Sequence, residues 1–376
     1  MKPSPRIAIT FYFFFLGFVF SSWASHIPDI KDKFSLNDAE LGSVLFMLPL
    51  GALCSLPFSG LLIAKVGSRW MSVISLLIYV LSLVSISLVP STFLLSIVLF
   101  LFGMFGNFGN ISLNAQGISI QHKIQKSILS SLHAMWSVGA FTAAAFTDWM
   151  MEENRTMQDH YFLIAIVMII LILPLFLSLV KDPEQSSENQ KIFAWPTKGL
   201  LLLGLICFCG AMSEGTMADW SSLYYRQIIN QPHVVSALGY TAFALFMSIG
   251  RFVGDPLIER WGHGIILKGN GVLIAIGMIT ALVSTIPTLV MIGFALVGLG
   301  VSSIFPVVYI LASKEKSMLP SAALAAVSSV GFIGFLVGPP IIGFVAQVVG
   351  LRLALAIVIL LGLLIVMMAS RHKEIK

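Results

Sequence analysis

The chain has 376 residues, 57% hydrophobic and only 10% charged, with a mean hydropathy of +0.96. A soluble domain is roughly a quarter charged, so this chain cannot cover itself with polar surface, and a string of soluble domains is excluded. The formal net charge of +5 would suit a nucleic-acid partner only if the basic residues were clustered, and they lie instead in alternate loops between apolar runs.

Those runs are about 20 residues long, the length of helix that crosses a ~30 Å hydrocarbon core. Bounded by charges, prolines and glycine clusters, they predict twelve spans: 7–26, 41–64, 70–89, 92–117, 127–148, 160–180, 199–219, 235–253, 265–285, 288–312, 322–348 and 351–370. The first is followed by "SSWAS" but is long for a signal core, and reads as an uncleaved first span. His26 and Asp29 follow it as an exit-loop cluster. In the fourth span Gly103, Asn107, Asn110 and Asn114 are spaced by four, three and four, which aligns them on one helical face. Three carboxamides suit either a wet cavity for a hydroxyl-rich or zwitterionic solute or interhelical hydrogen bonds, with Asn107 and Asn110 favouring the cavity. The fifth span adds His133 and Trp136 one turn apart, a proton relay or gate, or a helix–helix contact.

After the sixth span comes the long polar stretch "KDPEQSSENQK", 181–191, which divides the chain into an N-terminal bundle (1–180), a linker (181–198) and a C-terminal bundle (199–376). Trp23 and Leu41-Gly42 recur as Trp220 and Leu238-Gly239, and Gly67 recurs as Gly262, in order and at a near-constant offset, which favours a duplicated six-helix unit. With both termini cytoplasmic, all Lys and Arg except Lys31, Lys33, Arg155, Arg226 and Arg352 fall inside, as retention of positive loops requires.

The seventh span carries Glu214, then Asp219. From a start near Gly199, Glu214 lies about 22 Å along a ~30 Å core at 1.5 Å per residue. An ionisable residue at such depth is costly and marks function. Met217, Ser221 and Tyr224 share its helical face, extending a substrate-facing stripe. Asp219, at the expected interface beside Trp220, reads either as a second coupling carboxylate or as a hydrated one. In the eleventh span "VGPPIIG", 337–343, should break or bend the helix, as Pro49, Pro57 and Pro306 should elsewhere. Cys54, Cys207 and Cys209 lie in apolar segments with no metal-ligand spacing. No phosphate-binding loop, metal cluster or nucleophile elbow is present, so neither an enzyme nor a cofactor is expected.

The stretch "GLLIAKVGSR", Gly60 to Arg69, resembles the signature loop of the major facilitator superfamily between helices two and three, with Gly60, Gly67 and Arg69 at matching positions and Ala64 where an acid is usual. "GRFVGDPLIERWG" repeats it with Gly250, Arg251, Gly254, Asp255, Arg260 and Gly262. "NAQG" at 114–117, "SSLHAMWSVGAF" at 130–141, "EGTMADWSSLY" at 214–224 and "GFIGFLVGPPIIGFVA" at 331–346 are similar to a YbjJ-like bacterial branch related to the fucose:proton symporters. The resemblance covers the whole chain. It implies an all-α membrane protein of twelve transmembrane helices in two pseudo-symmetric six-helix bundles, with Gly60, Gly67, Arg69, Arg251, Asp255 and Arg260 in gating loops. The expected function is secondary active transport in the bacterial inner membrane: proton-coupled uptake of a sugar-like solute by a monomer, with Glu214, Asp219 and His133 as coupling groups. Proton-driven efflux of amphipathic compounds is the alternative, and a non-transporting receptor or scaffold a third, disfavoured by the short loops.

Overall fold

Every element of the described residues, 4–124, 128–180, 198–314 and 320–371 of a computed structural model, is helical, and no strand occurs among them. The N-terminal helices are α1 (Pro5–Ser25), α2 (Ile27–Lys33), α3 (Asp38–Leu45), α4 (Met47–Val66), α5 (Ser68–Leu88), α6 (Thr92–Ile124), α7 (Leu129–Glu152) and α8 (Met157–Phe176). Then follow α9 (Lys198–Gln227), α10 (Leu238–Val283), α11 (Pro287–Ser302), α12 (Ile304–Ser313), α13 (Pro320–Val349), α14 (Leu351–Ala354) and α15 (Ala356–Arg371). Pairs α3/α4, α11/α12 and α14/α15 are single passages interrupted by one residue, and α10 is two passages joined at Gly262. The twelve expected spans are therefore all helical. Among the described residues, ten helical stretches are long and apolar enough to cross a membrane, and Leu238–Gly254 is a shorter apolar one. The remaining passage, α7, has the length, but His133, Ser137 and Asp148 lower its hydropathy. The linker 181–197 and the C-terminal 372–376 lie outside the described residues.

The chain divides into two compact units, one of Met1–Ser35 with Val44–Asn189 and one of Leu36–Ser43 with Gln190–Lys376. The first is held by α1 on α7, α4 and α5 on α6, and α5 on α8. The second is held by α10 on α11, α13 on α9, and α10 on α15. Lipid tails offer no hydrophobic gain for bringing helices together, so small residues that let backbones touch do that work. On α1 and α7 an added Cβ at Gly17 would lie 2.0 Å from the Trp136 carbonyl oxygen, and one at Gly139 would lie 2.1 Å from that of Phe14. Buried polar side chains pair inside: Ser72 Oγ donates to Ser112 Oγ at 3.1 Å, and Gln116 Nε2 to Ser68 Oγ at 2.6 Å and to the Val180 carbonyl at 2.8 Å. Ile166, Ile170 and Leu173 on α8 point outward while Tyr161, Ile164 and Ile172 are buried, the arrangement a lipid-facing helix needs.

Gly67 and Gly262, matched in the repeat, have the same backbone, φ 86°, ψ 145° and φ 79°, ψ 162°. Such angles are open almost only to glycine. Gly67→Ala and Gly262→Ala should each cost about 1–3 kcal/mol, read as a lowered unfolding midpoint in detergent, although an alanine methyl at Gly262 would meet nothing within 4 Å.

Of the expected break or bend in the eleventh helix, the break does not occur. α13 carries Pro339 and Pro340 without interruption. It packs closely along α9, where an added Cβ at Gly334 would lie 2.4 Å from the Phe208 carbonyl, and irregular hydrogen bonding within a membrane helix is tolerated against such protein surface.

Candidate functional site

In the second unit Glu214, on α9, is half-buried and paired with Arg251 of α10, Oε1 to Nη2 at 3.4 Å, with side-chain exposures of 13% and 22%. That distance is long for a charge-assisted hydrogen bond, usually 2.7–2.9 Å, so the pair is attracted without being locked. Gly215 packs on the ring of Phe335, whose plane is within 5° of that of Phe305 at a centroid separation of 6.4 Å. Tyr309 lies edge-on to Phe305 at 6.1 Å, accepts from Ser328 Oγ at 3.1 Å and is within electrostatic reach of Glu214. Carboxylate, guanidinium, phenol and two parallel rings thus share one region of membrane-spanning helix.

Asp219 is also half-buried. At ~100° per residue it sits about 140° around α9 from Glu214, on the side of Met212 and Gly215 that meets α13. No hydrogen-bond or ion-pair partner for it is found among the described residues. Met217, Ser221 and Tyr224 are buried rather than lining the site. Ser221 Oγ donates to the Met217 carbonyl and Tyr224 OH to that of Ala281 at 3.2 Å. The physical reason is Gly239 of α10, where an added Cβ would lie 2.7 Å from the Ser221 carbonyl oxygen, so α10 closes over the outer part of the Glu214 face.

In the first unit the asparagine face is divided. Asn107 Nδ2 donates to Ser55 Oγ at 2.7 Å and the Ala52 carbonyl at 3.1 Å, joining α6 to α4, the interhelical alternative. Asn114 Nδ2 donates to Asn110 Oδ1 at 2.9 Å, and Asn114 Oδ1 meets His133 Nε2 at 3.0 Å. Asn110, Asn114 and His133 therefore form one hydrogen-bonded row, with His133 exposed and Trp136 half-buried one turn on.

Of the residues expected in gating loops, Gly67 separates α4 from α5. Arg251 and Arg260 lie within α10, and Arg251 belongs to the carboxylate site. Arg69 caps α8, donating from Nε and Nη2 to the Phe176 carbonyl at 3.2 and 3.1 Å with its guanidinium 4.2 Å from the Phe176 ring centre. Gly60 lies inside α4, and the Asp255 side chain lies outside the described residues. Sequence reasoning missed Arg251 as the partner of Glu214, which twelve mapped spans could have revealed, because it is a lone arginine inside the eighth. It also missed His160, which with His26 and Asp29 forms a buried cluster instead of an exit loop.

Twelve helical passages among the described residues, ten of them long and apolar enough to cross a membrane, with ionisable side chains held inside them, are the architecture of a multispanning membrane protein. The sequence profile described as "Major Facilitator Superfamily" matches residues 9–316 and 203–374, and the chain belongs to that family, whose members move solutes and are not enzymes. It is 33% identical over 369 residues to membrane protein MosC of Rhizobium meliloti, covering 97% of this chain and 90% of that one. To an uncharacterized MFS-type transporter of Yersinia pestis it is 28% identical, over 95% and 93% of the two chains. A mutant of the nucleoside transporter NupG superposes with a TM-score of 0.77 at 14% identity, over 99% of this chain and all of that one. At that identity the likeness shows the fold.

Proposed function

We propose that the protein is a proton-coupled importer of a small polar, ring-shaped solute, working by alternating access in a bacterial inner membrane. The observation that carries this reading is the Glu214–Arg251 pair, placed in membrane-spanning helices and loose at 3.4 Å. A proton and Arg251 compete for the same carboxylate: protonating Glu214 removes the attraction, frees the guanidinium and changes what the site offers a solute. Asp219, lacking a described partner, is the second candidate for a coupling group, and within the first unit His133 with Asn110 and Asn114 is a third, itself a row of donors and acceptors.

The parallel Phe305 and Phe335 rings suit a solute with one flat apolar face, and Tyr309 and Arg251 beside them suit its hydroxyls. A sugar meets both demands, in line with the resemblance to fucose symporters. So does a nucleoside, the substrate class named for NupG. The same rings favour the second reading, proton-driven efflux of amphipathic compounds. A thermal-shift panel of sugars, nucleosides and amphipathic cations on the purified protein separates these classes, with the stabilising class then tested for flux in proteoliposomes. Glu214→Gln should keep solute exchange and lose accumulation driven by a pH gradient. Normal gradient-driven accumulation in that variant would move the coupling role to Asp219 or His133.

Both termini and the 181–198 linker belong on the cytoplasmic side in this reading. A single cysteine placed at Ser187, in a background lacking Cys54, Cys207 and Cys209, should resist an impermeant thiol reagent in intact cells while one at Arg155 reacts. Equal labelling at the two sites would overturn the orientation.

A further inference from the structure

We propose that Asp29, His26 and His160 form a proton-binding relay in the first unit, distinct from the Glu214 site. His26 ends α1, Asp29 lies in the first turn of α2, and His160 lies in the first turn of α8. The backbone turn in which the Asp29 and Ile30 N–H groups donate to the His26 carbonyl, at 3.0 and 3.1 Å, brings Asp29 back to the Nδ1 edge of the His26 ring. Asp29 Oδ2 meets His26 Nδ1 at 2.5 Å, and His26 Nε2 meets His160 Nδ1 at 2.9 Å. The two histidines are 1% and 0% exposed.

The order of protons along this chain follows from what each atom can do. An ionised carboxylate only accepts, so His26 carries its proton on Nδ1. Its Nε2 is then a lone pair and accepts from His160, whose proton must be on Nδ1. That leaves His160 Nε2 as a bare lone pair, and this atom is fully buried with no hydrogen-bond partner among the described residues. A buried acceptor left unsatisfied costs free energy, and the smallest species that satisfies it is a proton. A proton arriving at Nε2 gives a His160 cation. Its Nδ1 proton can pass to His26 Nε2, and the His26 Nδ1 proton to Asp29, each transfer breaking one N–H bond and making one new bond to hydrogen.

The surroundings hold the two rings still and offer few competitors. Tyr161 stands edge-on to His26 at 5.3 Å and donates its own hydroxyl to the Ser22 carbonyl at 3.3 Å. From α7, Phe146 packs edge-on to His160 at 5.3 Å, with Asp148 buried two residues further along. On α2, Lys33 turns away to the Ser87 carbonyl at 2.8 Å, and Asp159 of α8 is occupied by the Thr156 cap. Titratable groups facing the rings are thus Asp29 and Tyr161, with Asp148 the nearest acid on α7.

Imidazole ¹⁵N spectra of the full chain in lipid nanodiscs test this, with His26→Gln and His160→Gln spectra for assignment. Above the ordinary histidine range, both rings should carry the proton on Nδ1 and none on Nε2. On acidification the two should respond together in one step. Asp29→Asn, whose carboxamide can donate as well as accept, should scramble the tautomer order and break the joint response of the two rings. A wild-type His160 protonated on Nε2 at high pH would overturn the relay without recourse to any variant. So would two rings that respond in separate steps unaffected by Asp29→Asn, or rings that never take up a proton.

Discussion

Arg251→Gln should lower the unfolding free energy by about 3 kcal/mol, the low end of what removing one partner of a buried ion pair costs, because both side chains keep some exposure. The loss comes less from the vanished attraction than from Glu214 left uncompensated at depth. Adding Glu214→Gln to Arg251→Gln should therefore restore more than half of the stability, since two neutral amides of similar shape need no counter-charge. Denaturant unfolding in mixed micelles for the two single variants and the double variant gives the interaction energy as a cycle. Strictly additive losses would mean that the two groups do not sense each other. The same cycle bears on transport, because a proton on Glu214 places Arg251 in the environment that Glu214→Gln creates.

Gly103→Val should be at least as damaging, by about 3 kcal/mol or by loss of folded protein, at the upper end of overpacking costs. The contact is reciprocal. An added Cβ at Gly103 would lie 1.9 Å from the Leu48 carbonyl oxygen, and one at Gly51 would lie 1.9 Å from that of Phe100. Both obstacles are backbone, so α4 and α6 must move apart, which pulls Asn107 off Ser55 and Ala52. Gly60→Ala, on α4, is the contrast. Nothing lies within 4 Å of a Cβ there, and replacing a helical glycine with alanine should be neutral or stabilise by about 0.5–1 kcal/mol. Recovery after purification and the thermal midpoint read both substitutions. A Gly103→Val protein as stable as Gly60→Ala would contradict the close approach.

What the sequence made legible was whatever depends on length and local chemistry. Twelve apolar runs gave twelve helical passages, and the repeat-matched Gly67 and Gly262 share one backbone conformation because both end a helix where only glycine fits. Glu214 stood out because a carboxylate inside an apolar run is costly, and it does have a charged partner there, Arg251. Hidden features depend on which helices touch. Met217, Ser221 and Tyr224 share Glu214's face by periodicity, yet Gly239 lets α10 cover them. Asn107 is joined to α4 because Gly51 and Gly103 bring the two backbones together. His26 reads as a loop residue until α8 brings His160 to it across 134 positions of sequence. The proline pair of α13 could be read as a break because the chain alone does not show that α9 supports it.

Proton movement recorded together with solute movement tests the coupling role of Glu214 most directly. Proteoliposomes would hold a pH-sensitive dye and start without a gradient, with a solute from the stabilising class added outside. Wild-type protein should carry protons inward with the solute at a fixed ratio. Glu214→Gln should exchange labelled solute at a comparable rate with no proton signal. Solute-driven proton entry that persists unchanged in Glu214→Gln, or wild-type solute entry with no proton movement, would contradict the account.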